Sequence, residues 1–342
     1  MDPINNQLDS PFALIAKLEG ITVLHAAYTE VMNGLLVAIE MAKYTSTPSC
    51  ALLTGHAGVG KSNLCKAIVS MYRDGPERSP AYVTNKVGGF YIPIPSPVTI
   101  KSLVSAMLAQ LGDPRPRSGT VAAMKDRLMA LENGTALQVH FLDELQHLWA
   151  AAPTGEAGRT VRDNIRNWIK TYVDNVRVPL VLVGTPSCEE LVNEDDQLSR
   201  RFPHRYRLTN IPMLRNGEPE FQKYLVTYAD LAKKTIGVDF PAFTDRDEAI
   251  RVYAATLGNA SRVYQLFKSA LVRSLKADAP ASGSIFVPGT LPQMRLSNVT
   301  LNHFALAADE PYFALNRATQ RNPFNMDIKA VINDLPNPEV SL

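Results

Sequence analysis

Residues 55–62 read Gly55-His56-Ala57-Gly58-Val59-Gly60-Lys61-Ser62, and they are the most informative motif in the chain. Its two fixed glycines, lysine and hydroxyl residue form the pattern of a phosphate-binding loop. An apolar run over residues 50–54 predicts a buried parallel strand before the loop, and residues 63–69 have helical spacing after it. The backbone N–H groups of such a loop turn inward around phosphate oxygens, and the helix start adds positive dipole.

Each polar group of the loop has a predicted task. Lys61 is expected to reach the β- and γ-phosphates of a nucleotide, and Ser62 is expected to bind Mg²⁺. The residues predicted to bind the nucleotide are Gly55, His56, Ala57, Gly58, Val59, Gly60, Lys61, Ser62 and Asn63.

A second landmark is the apolar run over residues 137–144, which ends in Asp143 and Glu144. Asp143 is predicted to lie at the carboxyl end of a strand and to hold Mg²⁺ through water, while Glu144 orients the attacking water. An acidic strand end is weak evidence alone. With the upstream loop it becomes strong, because the two motifs serve one ligand, and together they predict a nucleotide hydrolase.

Two further polar groups are candidates for sensing the γ-phosphate. Thr185 ends the apolar strand predicted over residues 179–185, where the alternative is a plain turn residue. Arg262 lies in the first turn of a predicted helix and could fold back onto the phosphates; the alternative is an ordinary exposed residue.

Two adjacent arginines, Arg200 and Arg201, follow an apolar position and could project from a subunit edge. An arginine supplied by a neighbouring subunit stabilises the charge that develops during phosphoryl transfer. The alternative is a surface salt-bridge pair, and adjacency does not decide which arginine would act.

The chain alternates strands and helices as far as residue 212 and then has three amphipathic helical runs, over residues 220–234, 245–257 and 259–276. This pattern predicts an α/β fold, a parallel sheet sandwiched by helices, with a helical lid. The predicted segments are N-terminal helices over 1–48, a nucleotide-binding core over 49–212, a lid over 213–276, and a linker, helix and tail over 277–342.

Several local predictions accompany this division. Residues 73–80 and 150–159 are expected to be loops, with a helix starting at Thr160. A short strand is expected over residues 284–287, and Ser297 is expected to cap the last helix. The N-terminal helices either cover the core or help to hold the adenine. The tail after Pro311 either docks a partner or packs on its own domain.

Composition limits the class of protein. The chain has 342 residues, of which 46% are hydrophobic and 20% charged, with a net charge of +2, and this suits a soluble protein with a sizeable core. Its three cysteines are far apart and predict buried residues in a reducing compartment. No run approaches the ~20 apolar residues that span a bilayer. We therefore expect a cytoplasmic protein without a membrane partner.

On these motifs the chain resembles the AAA+ ATPases, and within them the TniB/TnsC-like ATPases of transposition systems. The resemblance extends roughly from Cys50 to Leu275 and rests on five stretches: GHAGVGKS, QVHFLDELQHL, VPLVLVGTP, QLSRRF and GNASRV. It implies ATP and Mg²⁺ as ligands, Thr185 and Arg262 as first and second sensors, and Arg200 or Arg201 as an arginine finger.

The resemblance also implies partners. Proteins of this kind assemble with ATP into rings or filaments on double-stranded DNA. They link a target-selecting protein of the TniQ type to a DDE transposase of the TnsB/TniA type, and hydrolysis releases or resets the assembly.

A protein that coats DNA without reading its sequence should contact phosphates through basic side chains. The candidates are Lys101, Arg115, Arg117, Arg159 and Arg166. For the basic residues between 159 and 170, the alternative is a solvated helix face.

Two competing hypotheses remain. A secretion-associated ATPase of the ExeA type has a similar core, but such proteins carry membrane and cell-wall-binding segments that this sequence lacks. A small-molecule kinase would also use a phosphate loop. The helical lid, paired arginines and polar strand end suit an oligomeric ATPase better.

Overall fold

The structure is a computed structural model. It describes residues 11–42, 44–45, 50–72, 75–78, 83–95, 98–135, 137–147, 156–176, 178–277 and 294–336. The chain forms two compact units, Ala27–Thr209 and Met1–Ala26 with Asn210–Leu342. The division after residue 209 lies close to the core–lid boundary that the sequence indicates at residue 212. The N-terminal segment predicted over 1–48 is divided at Ala26.

Two sets of elements make up these units. The strands are β1 (Ala51–Thr54), β2 (Gly75–Arg78), β3 (Val83–Lys86), β4 (Gly89–Pro93), β5 (Val139–Asp143), β6 (Leu180–Gly184), β7 (His204–Arg207), β8 (Leu275–Ala277) and β9 (Met294–Leu296). The helices are α1 (Pro11–Lys17), α2 (Ala26–Ala42), α3 (Lys61–Met71), α4 (Ile100–Gln110), α5 (Val121–Gly134), α6 (Glu156–Asn175), α7 (Ser187–Asn193), α8 (Asp196–Arg201), α9 (Glu220–Ile236), α10 (Arg246–Thr256), α11 (Ala260–Arg273), α12 (Leu301–Ala308), α13 (Pro311–Asn316) and α14 (Ile328–Asp334).

The unit Ala27–Thr209 is built on a parallel sheet in the order β4-β5-β6-β1-β7. Neighbouring residues on a strand face opposite sides, so the apolar strands bury both faces of the sheet. Leu52 and Leu182 lie in a core with residues of α4, α5 and α6, whereas Leu53 and Val183 pack with residues of α2 and α3. The predicted α/β fold, a parallel sheet between two helical layers, is confirmed.

The strand register brings the polar strand ends to one edge of this sheet. Thr54 of β1 pairs with Gly184 of β6 and with Arg207 of β7, while Asp143 of β5 pairs with Pro93 of β4. Parallel strands have their carboxyl ends on the same edge, and in open α/β sheets this edge is where ligands bind. The fold therefore positions the loop after β1 beside the end of β5.

Two predicted loops are partly wrong. Within residues 73–80, the segment Gly75–Arg78 is strand β2, which pairs antiparallel with β3. Local sequence gave no sign of this pairing, because a strand is stabilised by its partner more than by its own propensity. Helix α6 starts at Glu156, four residues before the predicted start. Gly158 suggested a loop, but one glycine costs a helix only about 1 kcal/mol. Residues 150–155 lie outside the described residues.

The second unit is mainly helical and has an aromatic core. The ring of Phe267 contacts Tyr228 at 4.7 Å and Phe304 at 4.9 Å between centroids. Helices α9, α10 and α11 confirm the three helices predicted between residues 220 and 276, although the last gives way to β8, which pairs with β9. The strand predicted over residues 284–287 lies outside the described residues.

The tail packs on its own unit over the residues described. Two hydrogen bonds tie it to α10: the backbone N–H of Ala318 donates to Ala254 O at 2.8 Å, and the side-chain Nη1 of Arg251 donates to Met326 O at 2.8 Å. Phe313 and Val331 are buried in the core of the unit. Of the two alternatives for the tail, these contacts favour packing over a loose tether as far as residue 336.

The predicted cap of the last long helix is wrong by one turn. Helix α12 starts at Leu301, and its N-cap is Thr300, whose backbone N–H donates to His303 Nδ1 at 3.1 Å. Ser297 instead donates its hydroxyl to Ser274 O at 2.7 Å and so joins the chain after β9 to the end of α11. Both residues suit a cap by type, so sequence could not separate them.

A buried polar cluster lies between α5, α6 and β5. Glu132 is 4% exposed and accepts a hydrogen bond from the Tyr172 hydroxyl, and the Tyr172 ring lies edge-on to His140 at 5.5 Å. Burial raises the pKa of Glu132 from 4.5 to about 7, while the bond from Tyr172 opposes the shift. Burial also lowers the pKa of His140 to about 3, so this ring is neutral in the folded protein at neutral pH.

Glu132→Gln should make the folded protein more stable at pH 8 than the parent. The folded-state pKa of Glu132 lies above its unfolded value, so its contribution is fully present below pH 4.5 and is lost as pH rises towards 7. Glutamine keeps the acceptor for Tyr172 and has no charge. We expect a gain of about 1–3 kcal/mol in the free energy of unfolding at pH 8 and little gain at pH 4.5.

Denaturant titrations at both pH values measure this difference. Asp126→Asn is the matched control, because Asp126 is an exposed carboxylate on the same helix. If the two variants show the same change between pH 4.5 and pH 8, burial of Glu132 is not the cause.

Candidate functional site

The loop after β1 has the backbone shape of a phosphate cradle. Gly58 and Gly60 have φ angles of 78° and 104°, a region that side chains with a Cβ rarely enter. Gly60 is also the N-cap of α3 and offers no side chain to its first turn. The first N–H groups of this 11-residue helix therefore lack a side-chain cap and face the loop with their positive dipole.

Gly55 seats the loop against the sheet. Its N–H donates to Gly184 O at 3.2 Å, and a Cβ on Gly55 would lie only 2.3 Å from Leu208 O. Leu208 is itself fixed, because its N–H donates to Thr54 O at 2.8 Å. Glycine is required here for close approach of two backbones, which explains the first glycine of the motif.

Lys61 projects over the loop. Its Nζ donates to Gly55 O at 2.7 Å and to His56 O at 2.9 Å. Burial lowers the pKa of the Lys61 ammonium group, and the carboxylates of Asp143 and Glu144 oppose that shift. The loop thus holds a partly buried cation beside two carboxylates, at the position where the motif places it.

Ser62, Asp143 and Tyr91 meet at one carboxylate oxygen. Ser62 Oγ and the Tyr91 hydroxyl each donate to Asp143 Oδ2 at 2.6 Å. Asp143 is only 1% exposed and its Oδ1 accepts from Glu144 N at 2.7 Å. The structure therefore brings the serine of the loop to the aspartate of β5, which lies 81 positions later in the sequence.

Tyr91 is a site residue that the sequence analysis missed. It lies on β4, next to β5, and pairs in register with Phe141. Burial and then the hydrogen bond to Asp143 raise the pKa of its hydroxyl, so it is a donor at neutral pH. Lys66 Nζ lies 5.3 Å from the ring centroid. The only sequence signal was an aromatic hydroxyl on the strand beside the acidic one.

The oxygen atoms of Ser62 and Asp143 fit a magnesium ion. Mg²⁺ binds to proteins through one or two carboxylates and completes its octahedral shell with phosphate oxygens and water. Within the described residues, no group of three or more His, Cys, Asp or Glu side chains is placed to hold a metal. The donor set therefore suits an ion that arrives with phosphates better than a metal held by protein alone.

Glu144 follows Asp143 in a strained conformation. Its φ of 62° is in the left-handed region, which costs a non-glycine residue on the order of 1–3 kcal/mol. Its carboxylate accepts a hydrogen bond from Gln146 Nε2, while Gln146 Oε1 accepts from Thr185 N at 3.3 Å. The structure therefore links Glu144 to Thr185, the polar residue after β6, through a side chain that the sequence analysis did not single out.

The adjacent arginines on α8 have different surroundings. Arg201 forms a two-pronged ion pair with Asp174, with Nε to Oδ1 at 2.8 Å and Nη2 to Oδ2 at 2.6 Å, and its Nη1 donates to Gln197 O. Arg200 is exposed, and among the described residues its side chain has no hydrogen bond or ion pair. The salt-bridge alternative thus describes Arg201 and does not describe Arg200.

Arg262 belongs to the second unit. Its Nη1 donates to Asn316 O at 2.9 Å and its Nη2 to Asn316 Oδ1 at 3.2 Å, which ties α11 to the end of α13. The backbone N–H of Arg262 donates to the cap residue Asn259 at 3.2 Å. Arg262 therefore lies in the first turn of its helix as predicted, with its guanidinium group bound to the tail.

The candidate DNA contacts fall into three groups. Lys101, Arg115 and Arg117 are exposed side chains in the unit Ala27–Thr209. Arg166 pairs with Glu194 and lies 3.6 Å from Asp163, with 15% of its side chain exposed. The side chain of Arg159 lies outside the described residues.

One arginine shapes the loop that carries two of these candidates. Arg127 Nε donates to Asp113 Oδ2 at 2.9 Å, and its Nη1 and Nη2 donate to the backbone oxygens of Ser118 and Arg115 at 3.1 Å. Arg115 N also donates to Asp113 Oδ1 at 2.8 Å. Several bonds to one guanidinium group fix the backbone that presents Arg115 and Arg117 to solvent.

This fold and site define the class of protein. Among the solved structures that share the fold are two proteins from Aeropyrum pernix. The ORC1 protein in complex with DNA is 18% identical with a TM-score of 0.56, and the match covers 88% of this chain and 69% of that one. The ORC2 protein (ADPNP-ADP complexes) is 14% identical with a TM-score of 0.54 and coverages of 82% and 67%. The class is therefore the AAA+ fold.

The family follows from the sequence. Residues 18–209, more than half of the chain, match the family model described as Bacterial TniB protein. The chain belongs to the TniB family, a transposition-associated family of AAA+ ATPases, and the resemblance read from its motifs is confirmed. A search of curated proteins gives no match. Among the described residues, no helix has both the length and the apolar character needed to cross a membrane.

Proposed function

We propose that this protein binds and hydrolyses ATP with Mg²⁺ and uses that cycle to control its assembly on target double-stranded DNA during transposition. The observation that carries the proposal is the hydrogen bond of 2.6 Å between Ser62 Oγ and Asp143 Oδ2. It joins the phosphate loop to the acidic strand end, as a single nucleotide site requires.

Each residue of the site would have a separate role in ATP hydrolysis. The backbone N–H groups of the loop and the Lys61 ammonium group hold the phosphates. Ser62 and Asp143 would hold Mg²⁺, which neutralises charge on the β- and γ-phosphate oxygens. Glu144 orients the attacking water and accepts its proton as the bond to the γ-phosphorus forms and ADP leaves. Thr185, which is linked to Glu144 through Gln146, would contact the γ-phosphate.

We assign the arginine finger to Arg200. The guanidinium group of Arg201 is hydrogen-bonded to Asp174 and Gln197 within its own chain. Arg200 is exposed on the same helix, so it is available to the nucleotide site of a neighbouring copy. Arg262, as second sensor, would exchange a bond to Asn316 for one to a phosphate.

The DNA partner is supported by charge and by loop geometry. The ORC1 protein, which shares the fold, was solved in complex with DNA. In this chain, the loop fixed by Arg127 presents the exposed basic side chains of Arg115 and Arg117, which suits contact with phosphates. Lys101, Arg159 and Arg166 remain proposed contacts. We further propose a TniQ-type targeting protein and a DDE transposase of the TnsB/TniA type as partners, in the cytoplasm.

Lys61→Ala and Glu144→Gln should separate binding from hydrolysis. Loss of the Lys61 cation removes a charge-assisted bond to phosphate, so ATP affinity should fall about 10- to 100-fold, and assembly on DNA should fall with it. Glu144→Gln keeps the phosphate contacts and removes the proton acceptor, so kcat should fall about 100- to 10,000-fold with ATP affinity retained. Fluorescent-nucleotide titration and phosphate release measure the two effects.

Lys329→Ala serves as a control, since Lys329 is an exposed lysine outside the motif and in the other unit. Unchanged ATP affinity in Lys61→Ala would refute the nucleotide site. A Glu144→Gln protein that turns over ATP at the parental rate would remove Glu144 from its role.

Arg200→Ala should lower kcat about 1,000-fold, because a finger acts on the charge of the transition state. Arg201→Ala should keep most of the activity and lose at most about 1 kcal/mol of stability, since its ion pair with Asp174 is partly exposed. Phosphate release measured in the presence of DNA gives kcat, and denaturant titration gives the free energy of unfolding.

A mixing experiment shows whether the arginine acts on a neighbour. Arg200→Ala subunits keep Glu144, and Glu144→Gln subunits keep Arg200, so mixed assemblies should recover activity that neither variant has alone. A mixture with only the sum of the two separate rates would rule out a finger supplied by a second copy.

The double variant Arg115→Ala/Arg117→Ala should bind duplex DNA more weakly at every sequence. Two lost phosphate contacts should reduce the slope of log affinity against log salt concentration by about 2. Lys234→Ala/Lys329→Ala, two exposed lysines of the other unit, is the control. Fluorescence anisotropy at several salt concentrations gives the slopes. Equal slopes for the parent and the arginine variant would exclude this loop from the DNA contact.

A further inference from the structure

Gln146 is the side chain that connects the two catalytic strand ends. Its Nε2 donates to Glu144 Oε2, and its Oε1 accepts from the backbone N–H of Thr185 at 3.3 Å. Glu144 follows β5 and Thr185 follows β6, two neighbouring strands of the sheet. One amide group thus spans the two positions where water and γ-phosphate would lie.

The orientation of this amide is fixed by its partners. A carboxylate only accepts hydrogen bonds, so it must face the NH₂ group of Gln146, and a backbone N–H only donates, so it must face the amide oxygen. The Cys188 thiol lies 3.9 Å from the same oxygen and can donate to it. A flipped amide would lose both principal bonds.

A side chain at position 184 would crowd Gln146. A Cβ on Gly184 would lie 3.1 Å from Gln146 Oε1, 3.1 Å from Leu145 Cβ and 2.5 Å from Cys188 Sγ. Leu145 is fixed in turn, because its N–H donates to Val183 O at 2.9 Å. Glycine at the end of β6 is therefore the condition for Gln146 to reach Thr185.

We propose that Gln146 is a positioning residue that holds the Glu144 carboxylate in one rotamer and makes its position depend on Thr185. The inference rests on the proposed ATP hydrolysis and adds the coupling between its water-orienting and phosphate-contacting residues. A glutamate has three rotatable side-chain bonds, and a displacement of 1 Å in a reacting group costs about 100-fold in rate. Movement of Thr185 on contact with phosphate changes the bond that holds Glu144.

Gln146→Met removes both hydrogen bonds and keeps the length and much of the volume of the side chain. We expect kcat for ATP to fall about 10- to 100-fold, with the Kd for nucleotide within about threefold of the parent. Gln110→Met, at an exposed position on α4, is the matched control. A parental kcat, or a Kd that rises as much as kcat falls, would overturn the proposal.

Gln146→Glu tests the donor group at this position. Glutamate keeps the length of the side chain, but an ionised carboxylate cannot donate to Glu144 and repels it. We expect kcat to fall at least as far as in Gln146→Met. A Gln146→Glu protein with the parental kcat would overturn the proposal.

Hydrogen exchange separates this inference from the proposed function. The Thr185 amide should exchange at least about 10-fold faster in Gln146→Met than in the parent and the Gln110→Met control, whether or not ATP is hydrolysed. A parent that binds ATP without turnover would refute the proposed hydrolysis. Unchanged exchange at Thr185 would refute the connection through Gln146 even in an active enzyme.

Discussion

One carboxylate oxygen, Asp143 Oδ2, holds the candidate site together. It accepts from Ser62 at the start of α3 and from Tyr91 on β4, while the other oxygen accepts from the next residue of the chain. Because Asp143 is almost fully buried, removal of either hydroxyl would leave part of its charge without a donor, which costs about 1–3 kcal/mol. The loop, the acidic strand and the strand beside it are therefore interdependent.

The sequence predicts the parts of this arrangement that are local in the chain. The glycines, Lys61 and Ser62 lie within eight residues, and Asp143 and Glu144 end a continuous apolar run. The parallel sheet follows from the alternation of such runs with helices. What joins these parts depends on which strands become neighbours, and that is decided by packing across the whole unit.

Three results show contacts that depend on packing across the whole unit and could not be predicted from the sequence. Tyr91 reaches Asp143 only because β4 lies beside β5, and strand β2 exists through its pairing with β3. Arg201 differs from its neighbour Arg200 because it pairs with Asp174, which lies 27 positions away from it in the sequence. In each case the residue type was visible in the sequence, but its partner came from tertiary structure.

The remaining polar groups show how the site combines fixed and available side chains. Asp143, Glu144 and the backbone of Thr185 are held by hydrogen bonds within the chain, and under the proposed function this limits their reorganisation during catalysis. Arg200 differs from these three residues, since it is exposed and its side chain has no partner among the described residues. Under the proposed function, hydrolysis then requires the Arg200 guanidinium group of a neighbouring copy. Pre-organisation within the subunit and completion by a neighbour together would make turnover a property of the assembly.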